Sequence, residues 1–451
     1  MLIKTSFFCN NCGAQHSKWQ GQCNSCKEWN TLEEEVINTK KEKEWNVKSN
    51  HKKSNKSIQL KKIDIEDESR ILTFDKEINR VLGGGIVPGS LILIGGEPGV
   101  GKSTLLLQTA TGLPFKTLYV SGEESQKQIK IRATRMGLLE DNSYILSETS
   151  LKNIFYEINK LNPRLVIIDS IQTLQSDLID GSAGTVSQIK QTTNELIEFA
   201  KETNIPVILV GHITKDGQIA GPKILEHMVD TVLSFEGDRN HIYRILRAQK
   251  NRFGATDEIG IYEMNSNGIN PVSNPSAFLM NVNETNLSGQ AIGVTVEGIR
   301  PLLLEVQALV SSAVYGTPQR SSTGFNAKRL NMLLAVLEKR AGFSLGAKDV
   351  FINFTGGISV NDPALDLAVV ASILSSYFEI SIDKNICFAA EVGLSGELRA
   401  VSKINTRIKE AAKLGFKSIL ISKFNKVDSN NSKIKITFIE KIEDIISILF
   451  K

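Results

Sequence analysis

From Gly96 the chain reads Gly96-Glu97-Pro98-Gly99-Val100-Gly101-Lys102-Ser103-Thr104, a spacing of glycines, lysine and hydroxyls suited to a triphosphate. Glycines let backbone N–H groups approach phosphate oxygens with no Cβ in the way, and a helix opening at Lys102 adds partial positive charge. Lys102 is expected to neutralise the β- and γ-phosphates of ATP, and the Ser103 hydroxyl to hold Mg²⁺. The alternative is a glycine-rich turn that binds nothing. Against it stand the apolar run Leu91 to Ile94 before the loop and the helical pattern Lys102 to Leu113 after it.

Three further polar groups each follow an apolar run. Asp169, after Leu165 to Ile168, is placed to hold the water shell of Mg²⁺, or else caps the next helix. After Thr117 to Val120 comes Ser121-Gly122-Glu123-Glu124-Ser125, where Glu123 or Glu124 can polarise an attacking water, or both merely favour a helix N-terminus. His212, after Val207 to Val210, is a candidate sensor of the γ-phosphate, with a structural histidine as the alternative.

A second chemistry sits at the front. Cys9-x-x-Cys12 and Cys23-x-x-Cys26 supply four thiolates for a tetrahedral Zn²⁺ with no open position, so the metal is expected to fold the module and not to catalyse. Two disulfides are disfavoured in a reducing compartment, and a redox pair would need one knuckle alone. His16 is read as a surface residue, Cys387 as a small core residue, and Trp19 and Trp29 as core packing in preference to base stacking.

These groups need a scaffold of several domains, and 451 residues with 41% hydrophobic and 23% charged content supply it. The net charge of +4 equals the excess of nine lysines over five glutamates in residues 33–62, so charge alone gives little support for nucleic acid. There is no bilayer-length apolar run and no signal core, and a cytoplasmic location without membrane partners is expected. The composition divides the chain into a zinc module (1–32), a flexible charged tether (33–57), a motor of alternating strands and helices around a mostly parallel sheet (58–272) and a further α+β domain (273–451).

The cysteine module, the loop through Thr104, Tyr119 to Ser125 and the pentapeptide Lys250-Asn251-Arg252-Phe253-Gly254 together resemble the RecA-like motors, and more narrowly the bacterial RadA (Sms) family, over nearly the whole chain. The resemblance implies an α/β fold with a RecA-like P-loop NTPase core, a four-cysteine zinc module in front and a Lon-protease-like α+β domain behind. It implies Glu123 in preference to Glu124 as the catalytic carboxylate. Lys250 and Arg252, two apart on an extended segment, can both reach one anion. By the resemblance they enter the neighbouring subunit's ATP site in a homo-oligomeric, hexameric ring, although a solvated turn or a DNA phosphate grip would also use them.

The resemblance further implies a DNA-dependent ATPase in recombinational repair. It would move on single-stranded and branched DNA, with RecA recombinase as partner, and extend strand-exchange intermediates by branch migration. The loops Asp180 to Ser187 and Thr214 to Lys223 are then candidates for DNA contact through Lys215 and Lys223. In the Lon-like half, Ala364 and Asn405 stand where a serine nucleophile and a lysine base are required, so proteolysis is not expected. Ser359, Ser372 and Lys403 do not have the spacing of a shifted dyad. Arg399, Lys403, Arg407, Lys409 and Lys413 read as a basic cluster for DNA or as a solvated helix face. Other readings are a nucleotide-gated assembly or signalling ATPase that moves no DNA, and an ATP-dependent protease.

Overall fold

The computed structural model describes residues 3–38, 59, 70–138, 141–212, 224–237, 243–272, 276, 287–313, 317–355, 360–428 and 434–450. They fall into two units, Met1–Pro271 and Val272–Lys451.

The first unit opens with a small antiparallel sheet of β1 (Ile3–Cys9), β2 (Gln15–His16) and β3 (Leu32–Asn38) in the order β2-β1-β3. β3 pairs with β1 along its whole length, from Cys9↔Leu32 to Ile3↔Asn38. Residues 33–38, expected to begin the tether, therefore belong to the module. A pairing edge satisfies backbone groups whatever the side chains, which is why a Glu-rich segment is a strand here. The remainder of the expected tether, 39–57, lies outside the described residues.

The motor runs through α1 (Lys76–Val81), β4 (Leu91–Gly96), α2 (Lys102–Thr111), β5 (Thr117–Ser121), α3 (Gln126–Arg135), β6 (Ser143–Ser147), α4 (Leu151–Leu161), β7 (Leu165–Asp169), α5 (Val186–Thr203) and β8 (Val207–His212). It continues through α6 (Ile224–Met228), β9 (Thr231–Glu236), β10 (Tyr243–Asn251), β11 (Ile259–Asn265) and β12 (Gly268–Pro271). All nine strands from β4 onward form one sheet in the order β12-β11-β10-β9-β4-β8-β7-β5-β6. It is parallel from β9 to β6 and antiparallel from β10 outward. In β4, Ile92 and Ile94 enter one core with Leu105, Leu106 and Ile129, while Leu91 and Leu93 enter the opposite core with Phe155, Leu196 and Phe199. A strand buried on both faces must be apolar at every position, and this accounts for the uninterrupted run in the sequence.

The second unit contains β13 (Gln290–Glu297), β14 (Arg300–Ser312), β15 (Arg320–Thr323), α7 (Ala327–Ala341), β16 (Lys348–Phe354) and α8 (Asp366–Phe378). After these come β17 (Ile386–Ala389), β18 (Glu391–Val392), β19 (Leu398–Arg399), α9 (Ile404–Lys413), β20 (Ser418–Ser422), β21 (Lys435–Ile439) and α10 (Ile442–Leu449). Seven of its strands make a mixed sheet in the order β15-β16-β14-β13-β17-β20-β21. Gly293 of β13 lets the turn before α8 press close, since a Cβ there would lie 2.5 Å from Leu365 Cδ2 and 3.0 Å from Ala368 Cβ.

Ala364 and Asn405, placed by the resemblance at the dyad positions, take structural contacts in this unit. Ala364 is fully buried with its carbonyl accepting from Ala390 N, and Asn405 Oδ1 accepts from Asp428 N at 3.0 Å. Ser372 is buried with its hydroxyl donating to Val369 O, and Lys403 Nζ donates to Gly298 O. Ser359 lies outside the described residues.

The basic cluster needs a correction. Arg407 is 1% exposed and belongs to the core, where Nη1 donates to Asp362 Oδ2 and to Val294 O, both at 2.7 Å. Arg399 and Lys413 are paired with Glu397 and Glu410. The five cations are near one another in sequence, but α9 is amphipathic, and position 407 falls on its inner face with Ile404, Ile408 and Ala411.

Burial alone would raise the Asp362 carboxyl. The Arg407 charge and hydrogen bonds from Arg407, Ala364 and Val296 outweigh burial, and its pKa is lowered. A lowered folded-state value contributes stability that is present above the unfolded pKa, about 4, and is lost as pH falls through the folded value. Arg407→Ala leaves the carboxylate buried without its counter-charge and is expected to lose about 3–5 kcal/mol in the C-terminal unit. Urea denaturation of the full chain at neutral pH measures this, and the gap from wild type should narrow below about pH 4.

Candidate functional site

β4 delivers the phosphate loop. Gly96 ends the strand where no side chain fits, since a Cβ would stand 2.4 Å from Phe235 O. Gly99 (φ 82°) and Gly101 (φ 111°) take left-handed conformations that L side chains rarely adopt, and these turn the loop into α2. Lys102 opens the helix, buried, with Nζ donating to Gly96 O at 2.7 Å and Glu97 O at 2.9 Å. Burial lowers its pKa, the carboxylates of Asp169, Glu123 and Glu97 pull it back up, and it lies at about 8. Ser103 and Thr104 follow, half-buried.

The same end of the sheet collects the carboxylates. Register pairs Ser121 of β5 with Asp169 of β7, and Gly96 of β4 with His212 of β8, so three strand ends and the loop share one edge. Asp169 is buried and accepts a 2.5 Å hydrogen bond from Tyr119 Oη, whose own pKa is raised well above 10 by burial and then by the Asp169 charge. Ser121 Oγ accepts from Glu123 N and Glu124 N and bends the chain sharply. Gly122 at the bend has no room for a Cβ, which would lie 2.0 Å from Thr173 Oγ1.

The bend separates the two candidate glutamates. Glu124 is ion-paired with Arg132 of α3 and so is held against its own helix. Glu123 is exposed, and its carboxylate accepts from Ser170 Oγ at 2.6 Å, beside Asp169 and within electrostatic reach of Lys102.

Lys250 and Arg252 lie elsewhere. Asp230, just before β9, anchors Arg252 and is itself tied to β4: its backbone N–H donates to Leu91 O at 3.0 Å, and its Oδ2 accepts from Leu91 N at 3.1 Å. Arg252 Nη1 is 3.2 Å from Asp230 Oδ1, and Lys201 Nζ is 2.9 Å from Oδ2. Lys250 Nζ donates to Glu226 O, His227 O and Val229 O at the end of α6, and burial, then the neighbouring Arg252, lowers its pKa. Leu91 is the first residue of β4 and Gly96 the last, so these cations stand at the opposite edge of the sheet, roughly 16 Å along the strand at about 3.3 Å per residue.

Of the DNA-loop candidates, Lys215 and Lys223 lie outside the described residues. In the other loop Asp180 to Gly184 are exposed, and the Gln188 amide donates to Ser176 O, Ile179 O and Gly181 O at its base. Sequence reasoning missed Tyr119, Ser170 and Asp230, whose partners come from distant strands. It also missed Arg244, whose Nε donates to Val100 O inside the phosphate loop at 3.1 Å.

The four front cysteines converge. Cys9 Sγ lies 3.6 Å from Cys26 Sγ and Cys12 Sγ 3.6 Å from Cys23 Sγ, and all four sulfurs are within 4.8 Å of one another. A tetrahedron of Zn–S bonds near 2.3 Å calls for S···S separations of about 3.8 Å, so the set fits zinc. His16 is not simply a surface residue, since Nε2 is 3.4 Å from Cys23 Sγ while Gln20 contacts Nδ1. Trp19 and Trp29 are 60% and 67% exposed and do not form a core. The buried centre of the module is Cys9, Cys23 and Leu32, so the sulfurs themselves take the place that core aromatics were expected to fill.

A nine-stranded sheet with a phosphate loop after β4, an acidic residue closing β7 and a four-sulfur metal module define a zinc-binding, ATP-binding ATPase of the RecA-like type. Residues 56–218 match the model of an AAA domain, 7–34 that of a rubredoxin metal binding domain, and 307–425 that of subunit ChlI of Mg-chelatase. The chain is 47% identical over 421 residues to DNA repair protein RadA of Halalkalibacterium halodurans, covering 93% of this chain and 92% of the relative. To DNA repair protein RadA of Bacillus subtilis it is 47% identical over 429 residues, covering 94% and 93%. The chain belongs to the RadA family.

Lys102 yields a pH prediction. Free, it titrates at about 8, and a bound triphosphate favours its charged form, so the affinity is complete below pH 8 and falls as pH rises past it. ATP binding followed by calorimetry from pH 7 to 9.5 should weaken by up to about tenfold per unit above 8, and Lys102→Arg should abolish that step.

Proposed function

We propose that this protein is a ring-forming, DNA-dependent ATPase of recombinational DNA repair. One observation carries the reading: Lys250 and Arg252 stand at the edge of the sheet opposite the phosphate loop of their own chain. From there they can reach a nucleotide only if it belongs to a neighbouring protomer. ATP lies on the loop Gly96 to Thr104, with Lys102 on the β- and γ-phosphates. Ser103 and Asp169 would hold Mg²⁺, which screens the phosphate charge when bound. Glu123 takes a proton from the water that attacks the γ-phosphorus, and ADP leaves as the bond to the β-phosphate oxygen breaks. Lys250 and Arg252 of the next protomer stabilise charge on the transferred group, and His212 passes its state to the loop that follows. The four thiolates fold the front module around Zn²⁺.

The family resemblance and the relatives' name support DNA as the polymer moved. The ring, hexameric on this reading, translocates on single-stranded DNA in the cytoplasm and extends strand-exchange intermediates made by RecA recombinase, acting on branched DNA. The Lon-like unit holds subunits together or offers an additional DNA surface, without proteolysis.

Steady-state ATPase assays with and without single-stranded DNA test this. Wild type should be stimulated, and Lys102→Ala or Arg252→Ala should each lose about 10³-fold or more of the stimulated rate. Mixing the two variants equally should restore turnover at about a quarter of the seams, where an intact loop meets an intact arginine. Absence of rescue would remove the shared site. Turnover indifferent to DNA would favour a nucleotide-gated assembly protein.

Zinc removal is a separate test. Chelation, or Cys9→Ser, should make residues 3–38 protease-sensitive, while ATP binding at the loop changes by less than about threefold.

A further inference from the structure

Arg244, the second residue of β10, is buried and reaches into the phosphate loop of its own chain. Its Nε donates to Val100 O at 3.1 Å and its Nη1 to Tyr243 O at 2.8 Å, and Nη2 lies 3.7 Å from Met264 Sδ. Room for it is made at Gly237, where a Cβ would stand 2.3 Å from Arg244 Cδ. Burying a guanidinium is costly unless its donors are used, and the Val100 carbonyl takes one of them.

Peptide geometry gives that contact a consequence for the loop. In a trans peptide the C=O and the following N–H point in opposite directions. A donor that fixes the Val100 carbonyl away from the cradle therefore fixes the Gly101 N–H toward it. Val100 sits between Gly99 and Gly101, both with positive φ, where the backbone has the greatest freedom to turn the peptide over.

β10 also leads somewhere. Near Arg244 it pairs with the end of β9 at Glu236, on the phosphate-loop edge, and it runs antiparallel to Thr231, where Lys250 and Arg252 follow on the opposite edge. Six residues, roughly 20 Å of strand, separate Arg244 from Lys250. The strand is paired with β11 over Tyr243–Arg247 and with β9 over Ile245–Asn251, with a bulge between Ala248 and Lys250, so it is a paired bar that is continuous from the loop to the cations.

We propose that Arg244 is a positioning residue that presets the phosphate loop and, through β10, links the nucleotide in one protomer to the Lys250–Arg252 pair offered to the next. The link rests on the shared-site reading above; the presetting of the loop does not. Nucleotide arriving at the loop draws on the Gly101 N–H, loads the Val100 carbonyl onto Arg244, and shifts the near end of the bar whose far end bears the cations.

The test uses the full chain with Arg244→Gln and, separately, Gly237→Ala, which keeps the arginine but occupies its seat. A fluorescent, non-hydrolysed ATP analogue reads affinity, the ATP dependence of turnover reads the Hill coefficient, and a thermal melt reports folding. Expected are a Kd raised about tenfold or more in both variants and a Hill coefficient that falls from above 1 in wild type to 1. Wild-type affinity in the folded variants overturns the positioning role, and weakened affinity with an unchanged Hill coefficient overturns the link. Should Arg244→Gln fail to fold, Gly237→Ala decides. Arg252→Ala separates the two layers: wild-type turnover in that variant removes the shared site, while the affinity of Arg244→Gln still decides whether the loop is preset.

Discussion

Strand β4 is held on both edges, by β8 and β9, and buried on both faces, and the chemistry of the motor hangs from its two ends. Its C-terminal end turns into the phosphate loop. At its first residue, Leu91 exchanges two hydrogen bonds with Asp230, and Asp230 in turn seats Arg252 and Lys201. A strand cannot present both ends to one small ligand. The geometry that secures the loop therefore also holds Lys250 and Arg252 away from it.

Buried charge marks where this protein spends stability on arrangement. Asp230 and Asp366 are buried and Asp362 is half-buried, and each has a named cation, Arg252 with Lys201 for Asp230, Arg329 for Asp366 and Arg407 for Asp362. Such pairs contribute little net stability compared with apolar replacements, but they fix which groups meet. In the second unit Asp362 and Arg407 tie α9 to the turn before α8.

The phosphate loop, the cysteine knuckles and the strands before Asp169, Glu123 and His212 were legible because each is local: a few residues whose order alone states the chemistry. The choice between Glu123 and Glu124 was open in the residues themselves. Structure separates them through the Ser121 bend, which sends Glu124 to Arg132 and Glu123 to Ser170. Trp19, Trp29 and Arg407 were misread for one reason. Composition says that a small module wants aromatics inside and that a run of cations wants water, whereas cysteine side chains already fill the centre of the module and the inner face of α9 takes an arginine with a carboxylate waiting. The first residues of the expected tether were misread because strand pairing depends on a neighbour's free edge, which sequence composition does not record.

By itself the sequence determined that this chain binds a nucleoside triphosphate and a metal, since those statements depend on residue identity over short spans. Tertiary structure decided which carboxylate faces the loop, where Lys250 and Arg252 stand relative to it, and that Arg244 braces Val100. These are contacts between segments up to 144 residues apart, made by strand order and register. The physical reason is that covalent neighbours are fixed by the chain, while partners across a sheet are fixed only when both faces have been buried.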